Sequence, residues 1–174
     1  MPTTDQTFNT VAKDPADRQR LLRIFLADHL ALTTAAVELA KRTRRENAGT
    51  PLESDLRSLA DGLQQERDEL SRLAQRVGAT PGIAKRALAW LGEKLGRLKS
   101  NGRRFGYSPL SRVYELEALL ALAYPRKVMW QALASAYDEE GLPRDVVFQT
   151  HGERAEWRLA ELERWMLDAA RAAL

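Results

Sequence analysis

Four polar residues lie at the inward positions of four predicted helices, and their types are those that bind metal ions. They are His29, Glu66, Glu117 and His151, and imidazole with carboxylate suits iron or manganese. In di-iron bundles, two helices each supply a Glu and the other two each supply a Glu-x-x-His motif. Here the residue three positions before each histidine is Leu or Phe, so that motif is absent twice. We therefore favour a buried network in which His and Glu hydrogen-bond each other over an unusual metal site, and we expect no cofactor.

The sequence has no residue pattern typical of a catalytic centre. It contains no cysteine, which excludes disulfides, thiol catalysis, zinc–thiolate sites and iron–sulfur clusters. It has no Gly-x-Ser-x-Gly turn and no glycine-rich phosphate loop before a helix. Acidic residues such as Asp68 and Glu69 lie three or four positions before Arg72, a spacing typical of solvated surface pairs. We therefore name no catalytic residue and predict a non-catalytic protein.

Positive charge is concentrated in residues 81–112. This range has a net charge of +7, whereas the whole chain is +3 and the remainder is therefore −4. Its cations alternate with leucines at helical spacing, so the segment fits an anionic membrane surface or nucleic-acid phosphates. The interpretation that we favour packs the leucines on the helical body and leaves the cations solvated or paired with the acidic body, either of the same chain or of a second subunit. The residues proposed to contact an anionic partner are Lys85, Lys94, Arg97, Lys99, Arg103 and Arg104.

Four cap-proline pairs mark predicted helix starts. A Ser, Thr or Asp side chain can accept a free N–H of the first turn, and Pro at the first helical position loses no hydrogen bond. Thr50 with Glu53, and Thr150 with Glu153, also have the spacing of a capping box. The four pairs are Asp14-Pro15, Thr50-Pro51, Thr80-Pro81 and Ser108-Pro109.

The periodicity between these marks predicts four long helices and no strand. We expect them at about 15–46, about 51–77, about 109–138 and about 143–173, and the start of the last is ambiguous between 143 and 151. Pro125 is expected to kink or break the third helix. The predicted inward residues of the second helix are Leu52, Leu56, Leu59, Leu63, Glu66, Leu70, Leu73 and Val77, and those of the third are Leu110, Val113, Glu117, Leu120 and Tyr124.

Residues 81–99 form a fifth predicted helix, which would carry the chain from the end of the second helix to the start of the third. At ~1.5 Å per residue it spans roughly 28 Å, not far short of the second helix. The second and third helices would then run parallel, as in bundles with one long crossover. The predicted fold class is therefore an all-α four-helix bundle with an amphipathic crossover helix. Residues 15–174 would form one domain after a flexible tail at 1–14.

The sequence also predicts a cytoplasmic protein. The N-terminal residues are polar and lack the basic and apolar regions of a signal peptide. The longest apolar run, at 118–124, has seven residues, whereas a membrane-spanning helix needs about 20.

Several segments together carry a family resemblance. They are Asp28-His29-Leu30 with Glu38-Leu39-Ala40, the stretch 70–81 that ends in Val-Gly-Ala-Thr-Pro, segments 90–94 and 96–99, and 109–117 followed by Lys127 and Trp130. In these segments the chain resembles a small bacterial group of ferritin-like proteins. The resemblance covers most of the chain after residue 15. It implies a ferritin-like bundle with the crossover described above, and it implies no metal site because the di-iron ligands do not match.

The function that we expect is that of a structural or interaction module that forms a homodimer. Trp157 projects away from the inward face of the last helix, and an outward Trp needs cover from the crossover or from a partner subunit. The contrast between the basic segment and the acidic remainder also favours self-association. Two alternatives stay open: a ferritin-like metal-binding protein or oxidoreductase with an unusual site, and a binder of anionic membranes or nucleic acid.

Overall fold

The computed structural model describes residues 14–79, 107–136 and 146–174, and these ranges contain four helices and no strand. The helices are α1 (Pro15–Glu46), α2 (Glu53–Arg76), α3 (Pro109–Ala136) and α4 (Phe148–Ala173). The all-α prediction is therefore confirmed, as are the four long helices. None of the helices described is both long and apolar enough to cross a membrane. The predicted crossover helix at 81–99 and residues 1–13 of the predicted tail lie outside the described residues.

Two of the predicted cap-proline pairs begin helices as expected. Asp14 Oδ1 accepts a hydrogen bond from the Ala16 N–H at 3.1 Å, at the start of α1. Ser108 Oγ accepts from the Leu110 N–H at 3.2 Å, at the start of α3. At both starts the intervening Pro has a φ angle suited to the helix and needs no hydrogen-bond acceptor. The pair at 80–81 lies outside the described residues.

The capping box predicted at the start of α2 is wrong. Thr50 Oγ1 donates back to the Asn47 carbonyl at 2.8 Å, and the Glu53 carboxylate accepts from the Gly49 N–H at 2.8 Å. Both side chains therefore close the turn after α1, in which Gly49 has a φ of 77°. As a result α2 begins at Glu53, two residues later than predicted, and has no side-chain cap.

The last two helices differ from the prediction in their ends and continuity. α4 begins at Phe148, between the two predicted starts. Thr150 lies inside its first turn, so the second predicted capping box is also wrong. α3 continues through Pro125 without a break. The predicted break at this proline is therefore wrong.

Contacts near the helix ends establish the direction of each helix. The Asn47 side chain, just after α1, donates to the Tyr107 hydroxyl, just before α3, at 3.2 Å. At the opposite end, Arg23 Nε near the start of α1 donates to the Val77 carbonyl just after α2 at 2.9 Å. α1 is therefore antiparallel to both α2 and α3, and α2 and α3 run in the same direction. Residues 79 and 107 lie at opposite ends of the bundle, as the predicted parallel arrangement requires.

The helices pack as two close pairs. α1 packs on α2 and α3 packs on α4, and α1 also lies close to α3, whereas the backbones of α2 and α4 stay farther apart. The distance between helix axes depends on the side chains between them. The α2–α4 seam, the interface between these two helices, holds the long side chains of Arg158 and Trp165. By contrast, α1 contributes five buried alanines, which are Ala27, Ala31, Ala35, Ala36 and Ala40.

The core confirms the predicted inward face of α2 and, on α3, the inward position of Val113, whereas the inward positions predicted for Glu117 and Tyr124 are wrong. Six of the α2 positions, Leu56 to Leu73 with Glu66 among them, are buried as predicted. On α3, Glu117 is exposed and Tyr124 is 60% exposed. Residues 116–124 are apolar at every position except Glu117, so their periodicity does not identify the inward face. The buried residues of α3 are Val113, Glu115, Leu116, Leu119, Ala123, Arg126, Met129, Trp130 and Leu133.

Candidate functional site

The most deeply buried polar group of the predicted site is the carboxylate of Glu66, on α2. This residue is 3% exposed, and both of its carboxylate oxygens have donors. Oε1 accepts from Arg126 Nε at 3.2 Å and from Trp130 Nε1 at 3.0 Å, both on α3. Oε2 accepts from Arg158 Nη1 on α4 at 2.9 Å. We call these residues, together with His151, the Glu66 cluster; it joins three of the four helices.

Arg126 is the least expected member of the Glu66 cluster, because its guanidinium is almost completely buried. It is 1% exposed, and its Nη1 donates to the Leu122 carbonyl of the preceding turn at 3.1 Å. Its Nη2 is buried and has no hydrogen-bond partner. Burial lowers the pKa of Arg126, the Glu66 carboxylate opposes that change, and Arg158 adds to it. Two guanidinium groups therefore share one carboxylate in the core.

Arg158 reaches Glu66 by crossing α2 at a glycine. A Cβ atom added to Gly62 would overlap Arg158 Nη2 and lie 3.1 Å from its Cζ. A glycine inside a helix costs about 1 kcal/mol relative to alanine. Gly62 is thus explained by the space that the guanidinium needs on its way to the carboxylate.

His151 belongs to the Glu66 cluster through an aromatic contact. Its ring stacks on Trp130 with a centroid distance of 4.4 Å and an angle of 19° between the planes. Burial lowers the pKa of His151, while the nearby carboxylates of Glu69 and Glu66 oppose that change. The ring is therefore favoured in its neutral form and packs on the indole that binds Glu66.

The other two predicted site residues do not join this cluster. His29 is half-buried on α1 and packs against Phe25, with ring centroids 4.5 Å apart. Burial lowers the pKa of His29, with Asp28 opposing, and its Nδ1 is buried without a hydrogen-bond partner. Glu117 is exposed on α3, so its predicted inward position is wrong. Of the four residues, the structure brings together Glu66 and His151, with Trp130 between them.

A second buried carboxylate lies near the turn between α1 and α2. Glu115 Oε1 lies 3.1 Å from Arg42 Nε, and Oε2 accepts from the Tyr107 hydroxyl at 2.9 Å. Asn47 donates to the same hydroxyl and accepts from Arg112 Nε at 2.5 Å. We call these five residues the Glu115 cluster; it fastens the end of α1 to the start of α3.

The Glu115 cluster holds two groups with altered acidity. Burial raises the pKa of Glu115, and the hydrogen bond from Tyr107 and the charge of Arg42 oppose that change. Burial also raises the pKa of Tyr107, and the charge of the adjacent Glu115 carboxylate raises it further. Burial thus shifts Glu115 toward its protonated form, against the opposing effects of Arg42 and Tyr107, and it favours the neutral, donating form of Tyr107.

The chemistry open to these two clusters is limited by the donors already present. A metal ion at Glu66 would have to displace two guanidinium groups and an indole N–H from the carboxylate. Across the ranges 14–79, 107–136 and 146–174, no three His, Asp or Glu residues are grouped so that they could hold a metal ion. No family model, no curated protein and no solved structure matches this chain.

Sequence reasoning missed both arginines of the Glu66 cluster. Arg126 lies three positions after Ala123 and four before Trp130, so it falls on the inward face once the register of α3 is known. Arg158 lies three positions after the buried Ala155 and four before the buried Leu162 on α4. The one sequence feature that could have indicated a large side chain packed against α2 is Gly62, a glycine inside its otherwise regular leucine pattern.

The residues predicted to bind an anionic partner belong to a part of the chain that the structure does not describe. Lys85, Lys94, Arg97, Lys99, Arg103 and Arg104 all lie outside the described residues. Arg112, which belongs to the same basic range, is described: its Nε donates to Asn47, and its guanidinium lies 5.9 Å from the centroid of the Tyr107 ring.

Proposed function

We propose that this chain is a non-catalytic structural or interaction module with a ferritin-like fold and no di-iron centre. The observation that carries the proposal is the state of the Glu66 carboxylate. Both of its oxygens accept hydrogen bonds from arginine, and one also accepts from Trp130. A di-iron bundle needs inward carboxylates that are open to the metal. Two guanidinium groups beside Glu66 repel a cation and occupy the positions that it would need.

The ferritin-like part of the proposal rests on connectivity. α2 and α3 run in the same direction, and the described chain stops at one end of the bundle and resumes at the other. Bundles with a single long crossover have this arrangement. The resemblance of segments 28–40, 70–81 and 109–117 to ferritin-like proteins agrees with it.

The interaction part rests on an aromatic side chain at the surface. Trp157 on α4 is 66% exposed, which is unusual for the largest apolar side chain and typical of a residue that a partner covers. We propose that a second copy of the chain covers it. Sedimentation velocity over a range of concentrations tests this: we expect a dimer that dissociates at least tenfold more readily in Trp157→Ser.

Tyr124→Ser is the matched control for that experiment. Tyr124 is 60% exposed on α3, so its loss removes a similar exposed ring from another helix. We expect it to leave the dimer unchanged. A chain that stays monomeric at every concentration, or a dimer equally weakened by both substitutions, would contradict the proposed interface.

Metal analysis tests the absence of a di-iron centre. We expect protein produced with added iron and manganese to carry far less than one metal ion per chain. Its melting temperature should not fall on chelation. Stoichiometric metal that disappears in Glu66→Gln would overturn the proposal and establish the metal-binding alternative.

A further inference from the structure

An open apolar groove of about 540 Å³ lies between the first half of α1 and the last turns of α3. We call it the α1–α3 groove. Two large apolar side chains of its wall remain at the surface: Leu21 is 47% exposed and Ile24 is 43% exposed. The other apolar residues that line it are Leu22, Phe25, Ala132, Leu133 and Ala136. Exposed apolar patches with polar residues at the rim mark sites of protein interaction, so the groove is a candidate surface for a partner.

The α1–α3 groove has one charge of each sign on its α1 wall. Arg18 lies near the start of α1, and Asp28 lies about 15 Å farther along the helix. The Oδ1 atom of Asp28 accepts no hydrogen bond in the described part of the chain. A complementary surface therefore carries a large apolar side chain between an anion and a cation that are about 15 Å apart.

The exposed face of α4 carries these three features in the required order. Glu153, Trp157 and Arg164 are exposed, and at about 3.6 residues per turn they lie within about 40° of one another around the helix axis. Glu153 and Arg164 are about 16 Å apart along that axis, and Trp157 lies one turn after Glu153. The face of α4 that presents Trp157 therefore matches the α1–α3 groove in both charge and spacing.

We propose that α4 of a second copy of this chain packs along the α1–α3 groove, parallel to α1, with its Trp157 over Leu22 and Phe25. Glu153 of the second copy then faces Arg18. The inference rests on the dimer of the proposed function and identifies the surface that covers Trp157. Because the contact joins two different surfaces, each copy can contribute Trp157 to one contact and a groove to another.

The apolar and charged parts of this contact have different roles. A large aromatic side chain buries about 150–250 Å² of surface, so Trp157 supplies most of the affinity. Arg164 of the second copy lies opposite Asp28. Arg164 already pairs with Glu161 at 2.6 Å, and its guanidinium has further N–H groups to donate. Charge pairs at the edge of an interface contribute mainly to orientation and register, so these residues fix the parallel direction.

Ile24→Glu tests the groove, because it places a charge where the indole would pack. Sedimentation velocity over a range of concentrations should show self-association weakened about tenfold or more. Ile24 is exposed enough for the substitution to leave the fold intact, which a thermal unfolding curve checks. If that curve shifts, Leu21→Glu takes its place, since Leu21 is more exposed still.

Tyr114→Glu is the matched control, since it makes the same kind of change at another exposed apolar residue. Tyr114 is 37% exposed on α3 and lies about 27 Å along that helix from Ala132 of the groove. We expect Tyr114→Glu to associate as strongly as the unmodified chain. An equal loss in Tyr114→Glu and Ile24→Glu would contradict a specific role of the groove.

Mixing two defective chains gives the sharpest test. Trp157→Ser keeps an intact groove and Ile24→Glu keeps Trp157, so each variant lacks one half of the contact. At a concentration at which the unmodified chain is associated, each variant alone should be monomeric. An equimolar mixture should form a heterodimer, because one intact Trp157 meets one intact groove. A contact between two copies of Trp157 would not be restored by mixing.

A charge exchange tests the register. Asp28→Lys and Arg164→Glu should each weaken self-association about fivefold, because each places like charges opposite one another. The chain that carries both substitutions should recover, since the facing charges are then of opposite sign again.

These outcomes separate the inference from the dimer on which it rests. An unmodified chain that is monomeric at every concentration overturns both. Association that Trp157→Ser abolishes and Ile24→Glu leaves unchanged overturns the groove contact alone, as does a mixture of the two variants that stays monomeric. A double charge variant that associates no better than either single variant overturns the parallel packing.

Discussion

The two buried carboxylates of this protein are neutralised in different ways. Glu66 has two arginines and a tryptophan N–H around it, and one of those arginines, Arg126, is 1% exposed. Glu115 has one arginine and a tyrosine hydroxyl, and its arginine, Arg42, keeps 29% of its side chain exposed. In the Glu66 cluster two arginines therefore contact one carboxylate directly in the core. In the Glu115 cluster only Arg42 contacts the carboxylate directly, and Arg42 has access to water.

This difference determines how each carboxylate responds when its surroundings change. Losing the charge of Glu66 leaves two guanidinium groups with no counterion, and Arg126 has no path to solvent. Losing the charge of Glu115 leaves one guanidinium that already reaches water. We therefore expect Glu66 to be a large and fixed contributor to stability and Glu115 to be a small contributor that varies with pH.

The largest predicted effect is that of Glu66→Gln. The substitution keeps the shape of the side chain and removes the charge, so Arg126 and Arg158 become uncompensated cations in the core. Removing one partner of a buried ion pair typically costs about 3–5 kcal/mol. Urea denaturation should show a free energy of unfolding lower by about that amount, with an unchanged slope if the native state stays compact.

Glu117→Gln is the control for this measurement, since it makes the same chemical change at an exposed position of α3. It should change stability by less than about 0.5 kcal/mol. If Glu66→Gln were as mild as Glu117→Gln, the Glu66 cluster would not be the electrostatic centre of the bundle. A large effect of Glu117→Gln would instead restore the inward register first predicted for that residue.

The inward position of Glu66 could be predicted, whereas its partners could not. On α2 the leucines alternate steps of three and four between polar residues, so the position of Glu66 in that series identified it as buried. On α3 the apolar residues of 116–124 occur on every face, so the sequence gives no contrast between the faces. The inward face of that helix is set by the packing of Trp130 and Leu133 against the other helices.

The two helix starts that were predicted correctly show a related limit. Asp14 and Ser108 each accept from the N–H two residues later, as local propensity predicts. Thr50 follows a turn of only a few residues, and its hydroxyl finds the Asn47 carbonyl before it can cap α2. At α2 the local motif therefore failed because the tight turn after α1 supplied a nearer partner.

A smaller effect is predicted for Gly62→Ala, which tests how firmly Arg158 is held at Glu66. Alanine normally stabilises a helix interior by about 1 kcal/mol relative to glycine. Here the Cβ of alanine would displace the Arg158 guanidinium, so we expect the stability of the protein to stay unchanged or to fall. In an Arg158→Met background the space is free, and the gain should appear.

A double-mutant cycle over these two positions measures the coupling directly. Residues in contact typically give a coupling energy of about 0.5–3 kcal/mol. Thermal unfolding of the four proteins supplies the values. Equal stabilisation by Gly62→Ala in both backgrounds would show that the guanidinium moves aside at no cost, and would separate the glycine from the Glu66 cluster.

The smallest effect is predicted for Glu115→Gln, and its sign depends on pH. Burial raises the pKa of Glu115 in the folded state, so between its unfolded and folded pKa values the native protein binds more protons than the unfolded chain. The wild-type protein should therefore lose stability relative to Glu115→Gln as the pH rises from about 4 toward 7. The change should be about 1.4 kcal/mol for each pKa unit between the two states, with no further change above the folded pKa.

Glu53→Gln is the control with the opposite sign. The hydrogen bond from the Gly49 N–H lowers the pKa of Glu53, so that carboxylate stabilises the fold above its unfolded pKa and stops doing so as the pH falls. Over the same rise in pH, the stability of the wild-type protein should therefore increase relative to Glu53→Gln and decrease relative to Glu115→Gln. If both stability differences changed in the same direction with pH, Glu115 would be held ionised by Arg42. The two buried carboxylates would then differ only in the size of their contributions to stability.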